Sequence, residues 1–312
     1  MSRAFVFPGQ GSQAVGMGRE LAEAFAEARQ VFQEVDDALN QKLTTLMFEG
    51  PEDQLTLTEN AQPALMAVSM AVVRVLEGQG GLDLSKAASF VAGHSLGEYS
   101  ALAAAGTFSL ADTARLLKLR GQSMQKAVPV GVGAMAALLG AEFEQAKEIA
   151  AAAAEGEVCE AANDNGAGQV VVSGHKGAVE RAIKIAGEKG IKRAVLLPVS
   201  APFHCALMQP AADAMAEALS TVTMNAPKVP LVANVVASKV TDPVEIRDLL
   251  VRQVTGTVRW RESVLFMKEQ GVAQLVELGA GKVLSGLAKR IDKELTGANV
   301  GTPADIEAFL KG

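Results

Sequence analysis

Residues 89–92 read as a buried strand that runs straight into Gly93-His94-Ser95-Leu96-Gly97. The pattern then turns helical to about Ala105, where Gly106 supplies a stop. Strand, five-residue turn and helix in immediate succession leave few architectures open, and all of them layer helices on a sheet. Glycines on both sides permit the tight, strained turn that lifts a serine hydroxyl clear of the backbone. The helix behind it points its N-terminal N–H groups at any anion formed there. Ser95 is thereby the candidate nucleophile.

The rest of the chain alternates in the same way, which predicts an α/β fold. A strand over 4–7 enters the turn Pro8-Gly9-Gln10-Gly11, and helical patterns follow over 19–39 and, after Pro63, over 64–76. Ser109 and Asp112 start the helix that carries Arg120 in the manner of a capping box, with Asp where Glu or Gln is preferred. The middle reads as strand 134–139, helix 142–154, strands 158–162 and 169–173 about Asn163-Asp164-Asn165-Gly166, helix 176–189 and strand 193–199. That β-α-β-β-α-β order is the ferredoxin-like split pattern. It predicts a small inserted domain at about 127–198, leaving a discontinuous larger domain of 1–126 and 199–312.

Composition removes several classes of function. With 312 residues, 49% hydrophobic and 21% charged, the chain can bury a large core and is not globally disordered. A net charge of −6 argues against nucleic acid as the default partner. Cys159 and Cys205 are too few for a disulfide scaffold or a cysteine-rich zinc site, which favours a reducing cytoplasm. The apolar run after Arg3 is too short for a leader core, and 127–140 is broken by Pro129 and three glycines. Neither a targeting segment nor a membrane span is expected.

A serine at its ordinary pKa needs a base, and the chain offers three histidines. His94 adjoins Ser95 on the turn and should point elsewhere. His175 opens a polar loop before a helix and reads as solvated. His204 follows an apolar strand and the turn Ser200-Ala201-Pro202-Phe203, so it is the candidate base by elimination. No acid occurs over 194–203 and none stands out at another strand end, which favours a Ser–His dyad oriented by a backbone carbonyl over a triad. The turn holding Gln10 could supply an oxyanion donor beside the Leu96 N–H. Arg120 shares a helix face with Leu116, Leu117 and Met124. A guanidinium in an apolar stripe is costly unless paired, so it reads as either a structural ion pair or a socket for a substrate carboxylate.

Phe7-Pro8-Gly9-Gln10-Gly11-Ser12-Gln13, Gly93-His94-Ser95-Leu96-Gly97-Glu98-Tyr99-Ser100-Ala101 and Pro202-Phe203-His204 together resemble the bacterial malonyl-CoA:acyl carrier protein transacylases. Arg120-Gly121 with Met124, Gly133-Ala134-Met135-Ala136, Asn234-Val235 and Gly281-Lys282-Val283-Leu284 extend the resemblance over essentially the whole chain. It implies an α/β-hydrolase-like large domain with a ferredoxin-like small one. The roles it implies are Ser95 as acylated nucleophile, His204 as general base and acid, and Gln10 with the Leu96 N–H as oxyanion hole. Arg120 would bind the malonyl carboxylate, and the main-chain carbonyl of Gln253 would orient His204. Malonyl-CoA and acyl carrier protein are the implied partners, with no metal or redox cofactor. Phe203, beside the base, is expected to crowd an α-methyl branch on the acyl group. An acidic carrier would need a basic patch, for which Lys118, Lys126, Lys192, Arg193 and Lys282 are candidates. A serine thioesterase sharing the turn, and a carrier-docking module without catalysis, are the competing readings.

Overall fold

The computed structural model describes residues 2–312. A six-stranded sheet holds β1 (Arg3–Phe7), β2 (Phe90–Gly93), β7 (Leu231–Ala233), β8 (Ser238–Val240), β9 (Gln274–Leu278) and β10 (Thr296–Val300), in the order β10-β9-β1-β2-β7-β8. All pairs are parallel except β7 with β8. Residues 4–7 of β1 are fully buried at the sheet's centre, as expected of a parallel strand covered on both faces. Phe7 pairs with Gly93 and Val91 with Leu231, so β1, β2 and β7 end at one rim. Their next residues (the Gln10 turn, the Ser95 turn and Asn234) therefore gather there, at the carboxyl ends of the strands where open α/β sheets take ligands.

The helix Thr58–Gly80 is buried around almost its whole circumference from Thr58 to Leu76 and forms the spine of the core. It starts five residues before Pro63, earlier than the sequence suggests. Pro63 removes only one intrahelical bond so near the N-terminus, and burial of the flanking turns outweighs it. The helix Leu110–Ala127 crosses it where Gly121 lies against Glu59; a Cβ on Gly121 would sit 2.5 Å from the Glu59 Cα. That approach carries the neighbouring Arg120 to Gln62. The single helix expected over 19–39 is two, Arg19–Ala24 and Ala26–Leu39, divided at an extended Phe25. Arg29 donates to the Ala22 carbonyl at 2.6 Å, which satisfies the end of the first. Ser109 caps its helix by accepting the Asp112 N–H at 3.0 Å, but its hydroxyl also donates to the Asp112 carboxylate. The reciprocal capping box expected there occurs instead at Thr302 and Asp305.

A second, four-stranded antiparallel sheet runs β4-β5-β3-β6 from β3 (Gly133–Leu139), β4 (Cys159–Asp164), β5 (Gln169–His175) and β6 (Arg193–Leu196). The helices Phe143–Ala154 and Lys176–Glu188 pack on it through an alanine-rich core. β6 is shorter than the strand expected over 193–199. Pro198 has no N–H to give a ladder, and Leu197, Pro198 and Val199 turn away to line a cleft. β4 is longer than expected because its end bonds across to the other unit: Asp164 N–H to the Val258 carbonyl and Val258 N–H to the Ala162 carbonyl, both 2.9 Å. His175 is not a solvated loop residue. It ends β5, and its Nδ1 accepts the Val158 N–H at 3.0 Å. No helix among the described residues is long and apolar enough to cross a membrane.

Candidate active site

Ser95 sits at φ 53° between two glycines whose α-hydrogens are in close contact with backbone. A Cβ on Gly93 would lie 1.9 Å from the Gly97 carbonyl, and one on Gly97 would lie 2.2 Å from the Phe7 oxygen. The Ser95 N–H donates to Asn234 Oδ1 at 2.9 Å, and Asn234 Nδ2 donates to the Gly93 carbonyl at 2.7 Å, so one amide clamps both ends of the strained turn. A non-glycine residue at positive φ stores about 1–3 kcal/mol, which the surrounding bonds must offset.

The Ser95 hydroxyl lies 2.7 Å from His204 Nε2. On the far side of the ring, His204 Nδ1 is 2.8 Å from the main-chain oxygen of Gln253, in the helix Pro243–Thr255. A carbonyl only accepts, so Nδ1 carries the proton and Nε2 presents its lone pair to the serine. His204 is also at positive φ, 56°, and buried. Burial, then the Arg120 charge, depresses its pKa to about 3, so the ring is neutral at physiological pH. His94 points away, with Nε2 2.7 Å from Asn165 Oδ1 and its ring against Trp260.

Arg120 reaches the same hydroxyl from the opposite side. One terminal nitrogen donates to Ser95 Oγ at 3.2 Å and to Gln253 Oε1 at 3.0 Å, and the other to Gln62 Oε1 at 2.7 Å. The guanidinium carbon lies 5.7 Å from the centre of the Tyr99 ring. The residue is 1% exposed, its Nε–H has no partner, and no salt bridge joins it to a carboxylate among the described residues. Burial lowers its proton affinity, Tyr99 and Glu98 act against that from a distance, and no carboxylate touches the guanidinium directly among the described residues. These groups open onto a cleft of about 390 Å³ whose wall includes Phe203, Met124 and Met135. Gln10 and Leu96 line it too. The Gln10 side chain is engaged by the Thr58 hydroxyl at 2.9 Å, while neither the Gln10 nor the Leu96 N–H has an internal partner among the described residues.

The arrangement sets a serine hydroxyl against a neutral histidine, and the sequence has known counterparts. The acyl transferase domain family matches residues 4–299. The chain belongs to that family. The malonyl CoA-acyl carrier protein transacylase of Escherichia coli is 48% identical over 308 residues, covering 99% of this chain and 98% of that protein. The crystal structure of the acyl-carrier-protein S-malonyltransferase from Bartonella henselae is 61% identical with a TM-score of 0.97, covering 100% of this chain and 99% of the other. A malonyl-transacylase solved in complex with a type II PKS acyl-carrier protein is 45% identical, TM-score 0.96, over 100% and 99% of the two chains.

In this acyl transferase domain the site holds three polar residues that sequence reasoning missed. Asn234 follows β7, and Gln62 lies on the core helix. Glu98 is 1% exposed on the helix Gly97–Ala104, where it accepts the Asn234 N–H at 2.9 Å. Burial raises Glu98 to about 7, against the pull of its hydrogen bonds and of Arg120. An acid in a helix's first turn already has an explanation in the helix dipole, which is why it attracts no notice in sequence. Among the basic residues considered for a partner patch, Lys118 is withdrawn: it donates to Asn60 at 2.9 Å and lies 3.5 Å from Glu59. Lys126, Lys192, Arg193 and Lys282 are exposed.

Proposed function

We propose that the chain transfers the malonyl group of malonyl-CoA to the phosphopantetheine thiol of acyl carrier protein, through a malonyl ester on Ser95, in the supply of fatty acid biosynthesis. The observation that carries this reading is Arg120, a buried guanidinium that hydrogen-bonds the nucleophile and touches no carboxylate directly among the described residues. A malonyl thioester brings its own carboxylate to that spot, where it can pair with the guanidinium directly.

The geometry supports a route for each half-reaction. His204 Nε2 takes the Ser95 proton as Oγ attacks the thioester carbonyl, and the oxyanion falls to the N–H groups of Leu96 and Gln10, one such donor contributing about 2.7–4 kcal/mol. The carbon–sulfur bond breaks and the imidazolium returns the proton to the CoA sulfur. The carrier thiol then gives its proton to His204 and attacks the ester, and Ser95 recovers its hydrogen. The Gln253 carbonyl fixes the tautomer throughout and partly offsets the imidazolium charge. Thioester, ester and thioester lie near one another in free energy, so the protein's work is positioning.

The same reading takes the molecule as two domains, 1–126 with 199–312 and 127–198, α/β-hydrolase-like and ferredoxin-like respectively. Support comes from the parallel sheet with its nucleophile turn and from the order β4-β5-β3-β6 with two helices on one face. It places the enzyme in a reducing cytoplasm, in keeping with the free, buried Cys159 and Cys205. Intact mass spectrometry after malonyl-CoA tests it: a malonyl adduct maps to the Ser95 peptide, persists in buffer and is discharged by the holo-carrier. An adduct that water clears without carrier would replace the transferase by a thioesterase.

A further inference from the structure

The transfer steps leave the buried carboxyl of the site, Glu98, without a task. Glu98 Oε2 accepts two hydrogen bonds, from the Asn234 backbone N–H at 2.9 Å and from Gln253 Nε2 at 3.2 Å. Each partner continues to a reacting residue. Asn234 Oδ1 holds the Ser95 N–H, the Gln253 carbonyl holds His204 Nδ1, and Gln253 Oε1 holds Arg120. One carboxylate oxygen thus ties the helix after the nucleophile to the end of β7 and to the helix Pro243–Thr255, and those three elements carry the site's geometry.

The Gln253 amide shows why a carboxylate stands there. Its Nε2 faces three acceptors, the Ser95 carbonyl at 3.0 Å, Asn234 Oδ1 at 3.1 Å and Glu98 Oε2 at 3.2 Å, with two protons to share. Its Oε1 faces a guanidinium donor. Rotating the amide by half a turn would set NH2 against the guanidinium and oxygen against three acceptors. An anion among the acceptors makes the observed orientation the strongly favoured one. A neutral acid there would be a weaker acceptor for both of its donors.

We infer that the Glu98 carboxylate is a positioning residue for acyl transfer, fixing Asn234 and Gln253 and through them the Ser95 backbone, the His204 tautomer and the face of Arg120. This deepens the transferase reading and rests on it. The charged or titratable groups acting on Glu98 are Arg120 on the helix Leu110–Ala127 and Tyr99 beside it on its own helix; the residues facing it from β7 and the helix Pro243–Thr255 are the amides of Asn234 and Gln253. With its proton affinity held near neutrality, the carboxylate form is lost as pH falls through about 7. His204, with a pKa of about 3, stays neutral over the same span.

The test compares wild type, Glu98→Gln and Glu98→Asp in malonyl transfer to carrier protein across neutral pH, alongside Ser95 labelling by a fluorophosphonate and the melting temperature. Gln keeps the acceptor and removes the charge; Asp keeps the charge and shortens the reach. Wild type is expected to lose kcat on the acid side of neutrality. Glu98→Gln is expected to fall by about tenfold to a hundredfold and to lose that acid limb, with labelling slowed in parallel. Glu98→Asp should recover the acid limb with part of the rate. A Glu98→Gln enzyme with wild-type kcat and the wild-type acid limb overturns the inference. If that variant does not fold, Glu98→Asp with a full wild-type rate does so. Failure of wild type itself to form malonyl-Ser95 strikes the transferase reading, whereas a normal adduct with indifferent Glu98 variants strikes only this one.

Discussion

The two sheets differ most in where they keep their polar groups. Around the six-stranded sheet, Gln62, Glu98, Arg120, His204, Asn234 and Gln253 are all buried and joined in one hydrogen-bonded network. The core between the four-stranded sheet and its two helices is largely alanine and valine. Alanine lets helix and sheet approach closely but buries little area per residue, so that unit gains less from its own core. It leans on its neighbour through the Val258 bonds, an ion pair of Arg261 with Asp164 at 2.9 Å, and the His94–Asn165 contact. To the cleft it gives mainly apolar wall, including Met135, Leu197 and Pro198. On the proposed function, the difference teaches a division of labour: one sheet would fix protons and charges, and the other would shape the space for the acyl group.

Arg120→Ala puts the greatest load on that division. Losing two charge-assisted bonds at about 1.5–3 kcal/mol each should cut malonyl transfer by about a hundredfold to ten-thousandfold. Acetyl-CoA, which brings no carboxylate, should lose nothing comparable. Equal loss of both activities with a lowered melting temperature would make Arg120 a structural residue.

The apolar wall should act on selectivity. Wild type is expected to prefer malonyl- over methylmalonyl-CoA by about ten- to two-hundredfold, the value of one methyl in a tight pocket. Phe203→Ala, beside the base, and Met135→Ala, on β3, should both narrow that ratio in kcat/KM, with malonyl turnover changed by less than about tenfold. A ratio that neither substitution moves would remove the wall from specificity.

The smallest effect is on stability. His204 is held at about 3 in the folded protein against an ordinary 6.5. Its contribution is therefore complete above pH 6.5 and is lost as pH falls through the folded value, at a limiting rate on the order of 1 kcal/mol per pH unit. Glu98, raised from 4.5 to about 7, acts in the opposite sense: its contribution is full below 4.5 and is lost as pH rises through 7. Urea midpoints followed from neutral pH into acid should fall more steeply for wild type than for His204→Gln. Matching slopes would show that the buried imidazole is not what acid attacks.

The sequence makes the side chains that meet at the site legible and their supports obscure, for a physical reason. Ser95 is marked by its flanking glycines, His204 by the scarcity of histidine, and Arg120 by a charge in an apolar stripe; each breaks a local pattern. Glu98, Asn234 and Gln62 break none. A first-turn acid, an asparagine after a strand and a glutamine on a helix all have ordinary local explanations, and their partners stand 136, 139 and 58 residues away in the chain. The order of the strands was hidden for the same reason, since β1 lies between β2 and β9, both far from it in sequence. Pro63 misled because a proline reads as a boundary until tertiary burial of its neighbours is known.

The two glycines around Ser95 limit how this protein can change over time. No side chain of any size fits at either place, since the atom that would begin it meets backbone at 1.9 or 2.2 Å. That exclusion comes from the joint between strand and helix and is indifferent to whether the serine reacts. A descendant that gave up catalysis could exchange the hydroxyl for hydrogen at little structural expense, while both glycines would remain obligatory. On the proposed function, the glycines of the five-residue turn therefore report the joint, and the serine alone would report the activity.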